Sequence, residues 1–128
     1  MYNKIIIVNM HNLLIFYYAH RFEISFPNTT ALKDIRFSML VKFQDPEVVI
    51  FRHMLNNNWR DSITYPPPFP FERGGPFNLQ FDCTKTNVDI HINGSLYQNY
   101  RLPTVFTNAT CLRISGDLCV SNVAFTVI

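Results

Sequence analysis

The side chains best suited to metal binding or nucleophilic attack are four histidines and three cysteines, and their spacing supports neither chemistry. His11, His20, His53 and His91 are scattered and form no ligand motif. Cys83, Cys111 and Cys119 fit no metal spacing and no complete disulfide framework. They read as small apolar core residues, since no neighbouring His or Lys is placed to activate a thiol. No nucleophile motif or phosphate loop occurs. Glu72-Arg73 reads as a loop ion pair rather than an acid–base couple. Catalysis, a metal and a cofactor are therefore not expected. The residue that stands apart is Trp59, the one indole of the chain, which follows Asn56-Asn57-Asn58 and opens a Pro- and Gly-rich passage ending in Phe81.

Holding such a residue in place requires rigid elements, and the composition favours strands. Twelve Phe and six Tyr occur in 128 residues, enough chain for one domain with one core. Hydrophobic residues at 48% against 16% charged mark a globular chain. A net charge of +2 and the absence of any Arg/Lys run argue against nucleic acid as a partner. The odd cysteine count favours a reducing, cytoplasmic compartment.

The elements are legible from period two. Phe22, Ile24 and Phe26 alternate with Arg21, Glu23 and Ser25. Phe37, Met39, Val41 and Phe43 alternate with Arg36, Ser38, Leu40 and Lys42, and Val88, Ile90 and Ile92 with Asn87, Asp89 and His91. Each pattern predicts a strand with one buried face. Asn93-Gly94 predicts a tight hairpin, because both positions tolerate positive φ. Ser115-Gly116-Asp117 predicts a second turn, between Leu112–Ile114 and a closing strand Val123–Ile128. Near the start, the apolar runs Ile5–Val8 and Leu13–Tyr18 flank a polar break. That break is wrong for a signal-peptide core, and neither run spans a membrane, so two short strands are expected. Helical periodicity is absent. The sum is an all-β, antiparallel two-sheet sandwich of the jelly-roll kind. The sequons at Asn28, Asn93 and Asn108 arise readily by chance in so Asn- and Thr-rich a chain, and carry no weight for secretion.

Several separate blocks, in order from Leu13 to Ile128, resemble the galectins, β-sandwich lectins that bind β-galactosides. The family's R-F-x-I-x-F stands here as Arg21-Phe22-Glu23-Ile24-Ser25-Phe26. Its Trp follows an Asn-rich turn, as Trp59 does, and its P-F-x-x-G-x-x-F-x-I frame is similar to Pro70-Phe71 through Phe81. Its V-N-G matches Ile92-Asn93-Gly94. Its L-x-I-x-G-D matches Leu112 to Asp117. The resemblance implies one carbohydrate-recognition domain over residues 1–128, of galectin/concanavalin-like fold. It implies glycoproteins or glycolipids as partners, compatibility with a homodimer, and export from the cytoplasm without a signal peptide. It also makes Pro66-Pro67-Pro68 a stiffener of an inter-strand loop rather than a polyproline ligand. One departure is a short connection: only Ala19-His20 separates Tyr18 from Arg21, where the family carries a Gly-containing loop.

A lectin needs an aromatic face for the apolar side of a sugar ring and polar side chains for its hydroxyls. The resemblance gives the first role to Trp59. With Phe43 in register, the family's H-F-N-P-R puts its His at Lys42, its Asn at Gln44 and its Arg at Pro46. The next strand's Asn falls at Arg52, and the Glu and Arg after the Trp fall at Ser62 and Thr64. None of these polar side chains is kept. A lost charge-assisted bond removes about 1.5–3 kcal/mol, so lactose binding is expected to be millimolar or absent. Lys42 and Arg52 on one face favour an anionic glycan. The expected site is Lys42, Gln44, Arg52, Trp59, Ser62 and Thr64. The alternative is a galectin-fold protein-interaction module that has lost sugar binding.

Overall fold

A computed structural model describes residues 5–27, 34–65, 67–102 and 111–128. Every regular element among them is a strand. These are β1 (Ile6–Ile15), β2 (Arg21–Pro27), β3 (Ile35–Phe43), β4 (Glu47–Leu55), β5 (Asn58–Tyr65), β6 (Pro76–Cys83), β7 (Asn87–Ile92), β8 (Ser95–Arg101), β9 (Arg113–Gly116), β10 (Leu118–Cys119) and β11 (Asn122–Val127). One sheet runs β10-β1-β6-β7-β8, with β11 also pairing to β1; the other runs β5-β4-β3-β2-β9. All pairings are antiparallel. This is the sandwich that the alternation predicts.

The core lies between the sheets and is built from the inward side of each alternating strand. Phe22, Ile24, Phe26, Phe37, Met39, Val41 and Phe51 meet Val8, Met10, Leu79, Phe81, Val88 and Ile90, all with 1% exposure or less. Aromatic rings bridge the two layers. Phe81 packs edge-on to Phe26 at 5.5 Å, and Phe37 lies 5.4 Å from Tyr100 between centroids. Such offset and edge-to-face pairs add to the burial of each ring.

Three local readings are corrected. The N-terminal region is one strand, β1, not two. Its polar break is a bulge between Met10 and Leu13, where Asn12 takes φ 56°. The amide of Asn12 donates to Asn78 Oδ1 at 2.9 Å, so the donor lost from the ladder finds a side chain. Ser115-Gly116-Asp117 is not a hairpin turn. The chain passes there from β9 in one sheet to β10 in the other. Finally, Arg73 does not pair with Glu72: its Nε donates to Ala19 O at 2.8 Å and its Nη2 to Gln44 Oε1 at 3.3 Å.

Asp117 explains how the short β1–β2 connection holds. Its Oδ2 accepts from the amides of His20 (2.9 Å) and Arg21 (3.3 Å), and its own amide donates to Arg21 O. Those two backbone bonds, of which His20 gives the larger effect, hold the carboxyl below the usual aspartate range. The thiols divide by position. Cys83 is buried, and burial, then the charge of Asp82, pushes its thiol up to about 12. Cys111 is half-buried and Cys119 exposed, so the expectation of buried thiols holds fully for Cys83 alone. The hairpin at Asn93-Gly94 forms with φ 52° and 83°. The sequons at Asn28 and Asn108, and Pro66, lie outside the described residues.

Candidate functional site

Period two decides what the outer face of the five-stranded sheet displays. Because Phe22, Ile24 and Phe26 face inward on β2, Arg21, Glu23 and Ser25 face outward. On β3 the outward set is Ser38, Leu40 and Lys42; on β4 it is Val48, Ile50, Arg52 and Met54. Strand β5 runs along the edge. Thr64 pairs with Ile50 and Trp59 with Met54, and the register shifts between Phe51 and His53, beside Asp61 at φ 50°. The bulge keeps Trp59 on the same face as Ser62 and Thr64 despite their odd spacing. Leu40 and Val48, 3% and 5% exposed, form an apolar floor on this outer side.

Five residues from four strands make a continuous chain across that floor. The Arg52 guanidinium carbon lies 3.6 Å from the centroid of the Trp59 ring. Arg52 Nη2 donates to Glu23 Oε2 at 3.1 Å, and the same oxygen accepts from Ser38 Oγ at 2.6 Å. Arg21 Nη2 stands 3.5 Å from Glu23 Oε1. The guanidinium therefore lies between the indole of β5 and the carboxylate of β2. Arg52 Nε is buried and has no acceptor among the described residues. Trp59 retains 37% exposure, against 7% or less for the buried core rings.

Of the six residues singled out by sequence, the structure joins Arg52 to Trp59 and places Lys42, Ser62 and Thr64 exposed on the same sheet. The side chains of these last three have no hydrogen-bond or ionic partner among the described residues. Lys42 pairs in register with Arg21 on β2, so two cations stand side by side. Gln44 is set apart. It lies past the end of β3, with its Nε2 at 3.1 Å from His20 Nδ1 and its Oε1 accepting from Arg73. Sequence reasoning missed Glu23. Its outward position in the alternation of β2 was the available signal; the reach of Arg52 over β3 to meet it was not legible.

Among the described residues no group of three or more His, Cys, Asp and Glu is placed to hold a metal ion. No helix among them is long and apolar enough to cross a membrane. A two-sheet antiparallel sandwich with an indole and polar side chains on one outward sheet face is the architecture of a β-sandwich lectin. The chain matches the family model described as galactoside-binding lectin over residues 5–125, and it belongs to that family, the galectins, which are lectins rather than enzymes. Solved structures agree in fold. Sheep galectin-11, in complex with glycerol, superposes with a TM-score of 0.79 at 16% identity, over 98% of this chain and 91% of that one. The Caenorhabditis elegans galectin LEC-6 gives 0.79 at 18% identity, over 97% and 82%. Congerin II bound to lactose and MES gives 0.75 at 18%, over 96% and 90%.

Proposed function

We propose that this galectin binds glycans weakly on the outer face of its five-stranded sheet, with Trp59 as the stacking platform and a preference for anionic glycans. The observation that carries the reading is the position of Trp59: an indole 37% exposed on an edge strand, facing outward beside Arg52. A core indole would face the other way and be sealed. Lys42, Arg21 and Arg52 give that face a cationic character, with Glu23 the carboxylate set among them. Carboxylate and sulfate groups suit Lys and Arg donors, whereas the side chains that would orient a neutral galactoside are replaced.

A glycan array followed by titration calorimetry tests this. Signals are expected on sulfated or sialylated galactosides, with lactose in the millimolar range or silent. A lactose dissociation constant near or below about 100 μM overturns the reading of the site. An array silent for every glycan supports the other reading, a protein-interaction module on a galectin fold. The free thiols support a cytoplasmic location, with export independent of a signal peptide; fractionation showing the protein confined to secretory vesicles would refute it.

A further inference from the structure

We propose that Arg52 occupies the stacking face of Trp59 as an intramolecular ligand, and that this face opens to a glycan carrying a carboxylate or sulfate, which takes the guanidinium over from the ring. The inference rests on the reading of Trp59 as a glycan platform.

At 3.6 Å from guanidinium carbon to ring centroid, the two groups are in van der Waals contact. No sugar ring fits between them. The contact is a cation–π pair, and it is anchored from the far side by Glu23 at 3.1 Å. Glu23 is itself fixed by Ser38 at 2.6 Å, and both Arg52 and Glu23 have side chains only 18% exposed. Arg52 is thus held in place on the ring rather than passing over it.

The hold is incomplete. A guanidinium presents a fork that a carboxylate or sulfate engages with two parallel bonds. Here the bond to Glu23 is single, through Nη2, and the buried Nε finds no acceptor among the described residues. An anionic group offers oxygens to both donors. Glu23 keeps Ser38 and Arg21 when Arg52 leaves, so its charge stays partnered. Lys42, exposed beside Arg21, adds a further positive charge to the same sheet face. A neutral galactoside offers hydroxyls alone, and must displace the cation from the indole without a charge to replace it. Selectivity then comes from an obstacle that only one class of ligand removes.

Trp59 is the sole tryptophan, so its fluorescence reports on the ring directly. Acrylamide quenching of the folded protein is compared with that of Arg52→Ala, and of Arg52→Lys should the alanine variant not fold. Quenching is expected to rise about twofold when the planar cover is removed; unchanged quenching overturns the occupied ring. Lactose, a sulfated lactose and a sialylated lactose are then titrated against wild type and Arg52→Asn. Wild type is expected to favour the charged sugars by about tenfold or more, and Arg52→Asn to bring that ratio below about threefold by gaining lactose and losing the anions. A ratio unchanged by the substitution overturns the anion requirement while leaving the glycan reading intact. No binding of any sugar to either protein defeats the glycan reading itself, and the anion requirement with it.

Discussion

His53 Nδ1, on β4, lies 3.0 Å from the hydroxyl of Tyr100, on β8, and this hydrogen bond ties one sheet to the other through the core. The Tyr100 hydroxyl donates onward to the carbonyl of Asp61 at 3.2 Å. Its one proton is thereby used, so the phenol oxygen accepts from His53 Nδ1–H. Asp61 sits at the positive-φ bulge of β5, between Trp59 and Ser62. A residue on the far sheet therefore helps set the course of the edge strand that presents the indole.

Acidification should weaken the fold through His53. Burial, the largest cause, lowers its pKa from the usual value near 6.5; Asp61 opposes this and Arg60 adds to it. Above about pH 6.5 the imidazole is neutral in folded and unfolded chains alike, and contributes no pH dependence. As pH falls below that, the unfolded chain takes up the proton first. Stability then declines until the folded-state pKa is reached, by at most about 1.4 kcal/mol per pH unit for one proton. Urea unfolding between pH 7.5 and 5 measures the decline. His53→Gln, which titrates nowhere in that range, should flatten the curve relative to wild type. An identical slope in both proteins would assign the dependence to other groups. Asp117 does not confound this, because its lowered pKa acts only below about pH 4.

Gly116 is expected to be irreplaceable, and Gly94 far less so. A Cβ on Gly116 would lie 2.5 Å from Arg21 O and 2.6 Å from Phe22 Cα, both backbone atoms, at φ 107°. Neither can move without breaking the β2–β9 ladder or the Asp117 bonds beside it. Gly94 also has positive φ, 83°, but nothing lies within 4 Å of its Cβ position. Gly94→Ala should cost about 1 kcal/mol from backbone strain alone, and Gly116→Ala about 3 kcal/mol or more from strain plus overlap. Equal urea midpoints for the two variants would show that the crossing at Gly116 is looser than the geometry states.

These two glycines show where sequence is readable and where it is not. Asn93-Gly94 is a local signal, complete within a hairpin, and it was legible. Gly116 looked like another turn because its reason lies across the chain, in the backbone of Phe22. The bulge at Asn12 was misread in the same way: its partner, Asn78, is 66 residues distant. At the site, period two was enough to put Lys42 outward on β3, but the odd spacing of Trp59 from Ser62 and Thr64 breaks that period, and the bulge at Asp61 that reunites them was not legible. Period two could not show that Gln44 is engaged by His20 and Arg73, which arrive from loops. Nor could it show Arg52 lying on Trp59, because the rotamers of two long side chains are set by Glu23 on a third strand.

Trp59→Ala is expected to remove glycan binding and leave the domain folded. The ring is 37% exposed and touches Arg52 on the sheet's outer face, outside the inter-sheet core. Its loss forfeits a cation–π contact of about 0.5–1 kcal/mol, whereas truncating a core indole costs about 3–5 kcal/mol. Stacking on a sugar buries about 50–100 Å² of apolar surface, worth about 1–3 kcal/mol. For a ligand that already binds weakly, that loss brings binding below detection. Melting temperature and array signal, measured on the one variant, separate the possibilities. A fall in melting temperature corresponding to 3 kcal/mol or more would make Trp59 a core residue in function. A melting temperature and an array signal both unchanged would place the sugar site on another face of the sandwich, away from the Arg52–Trp59 pair.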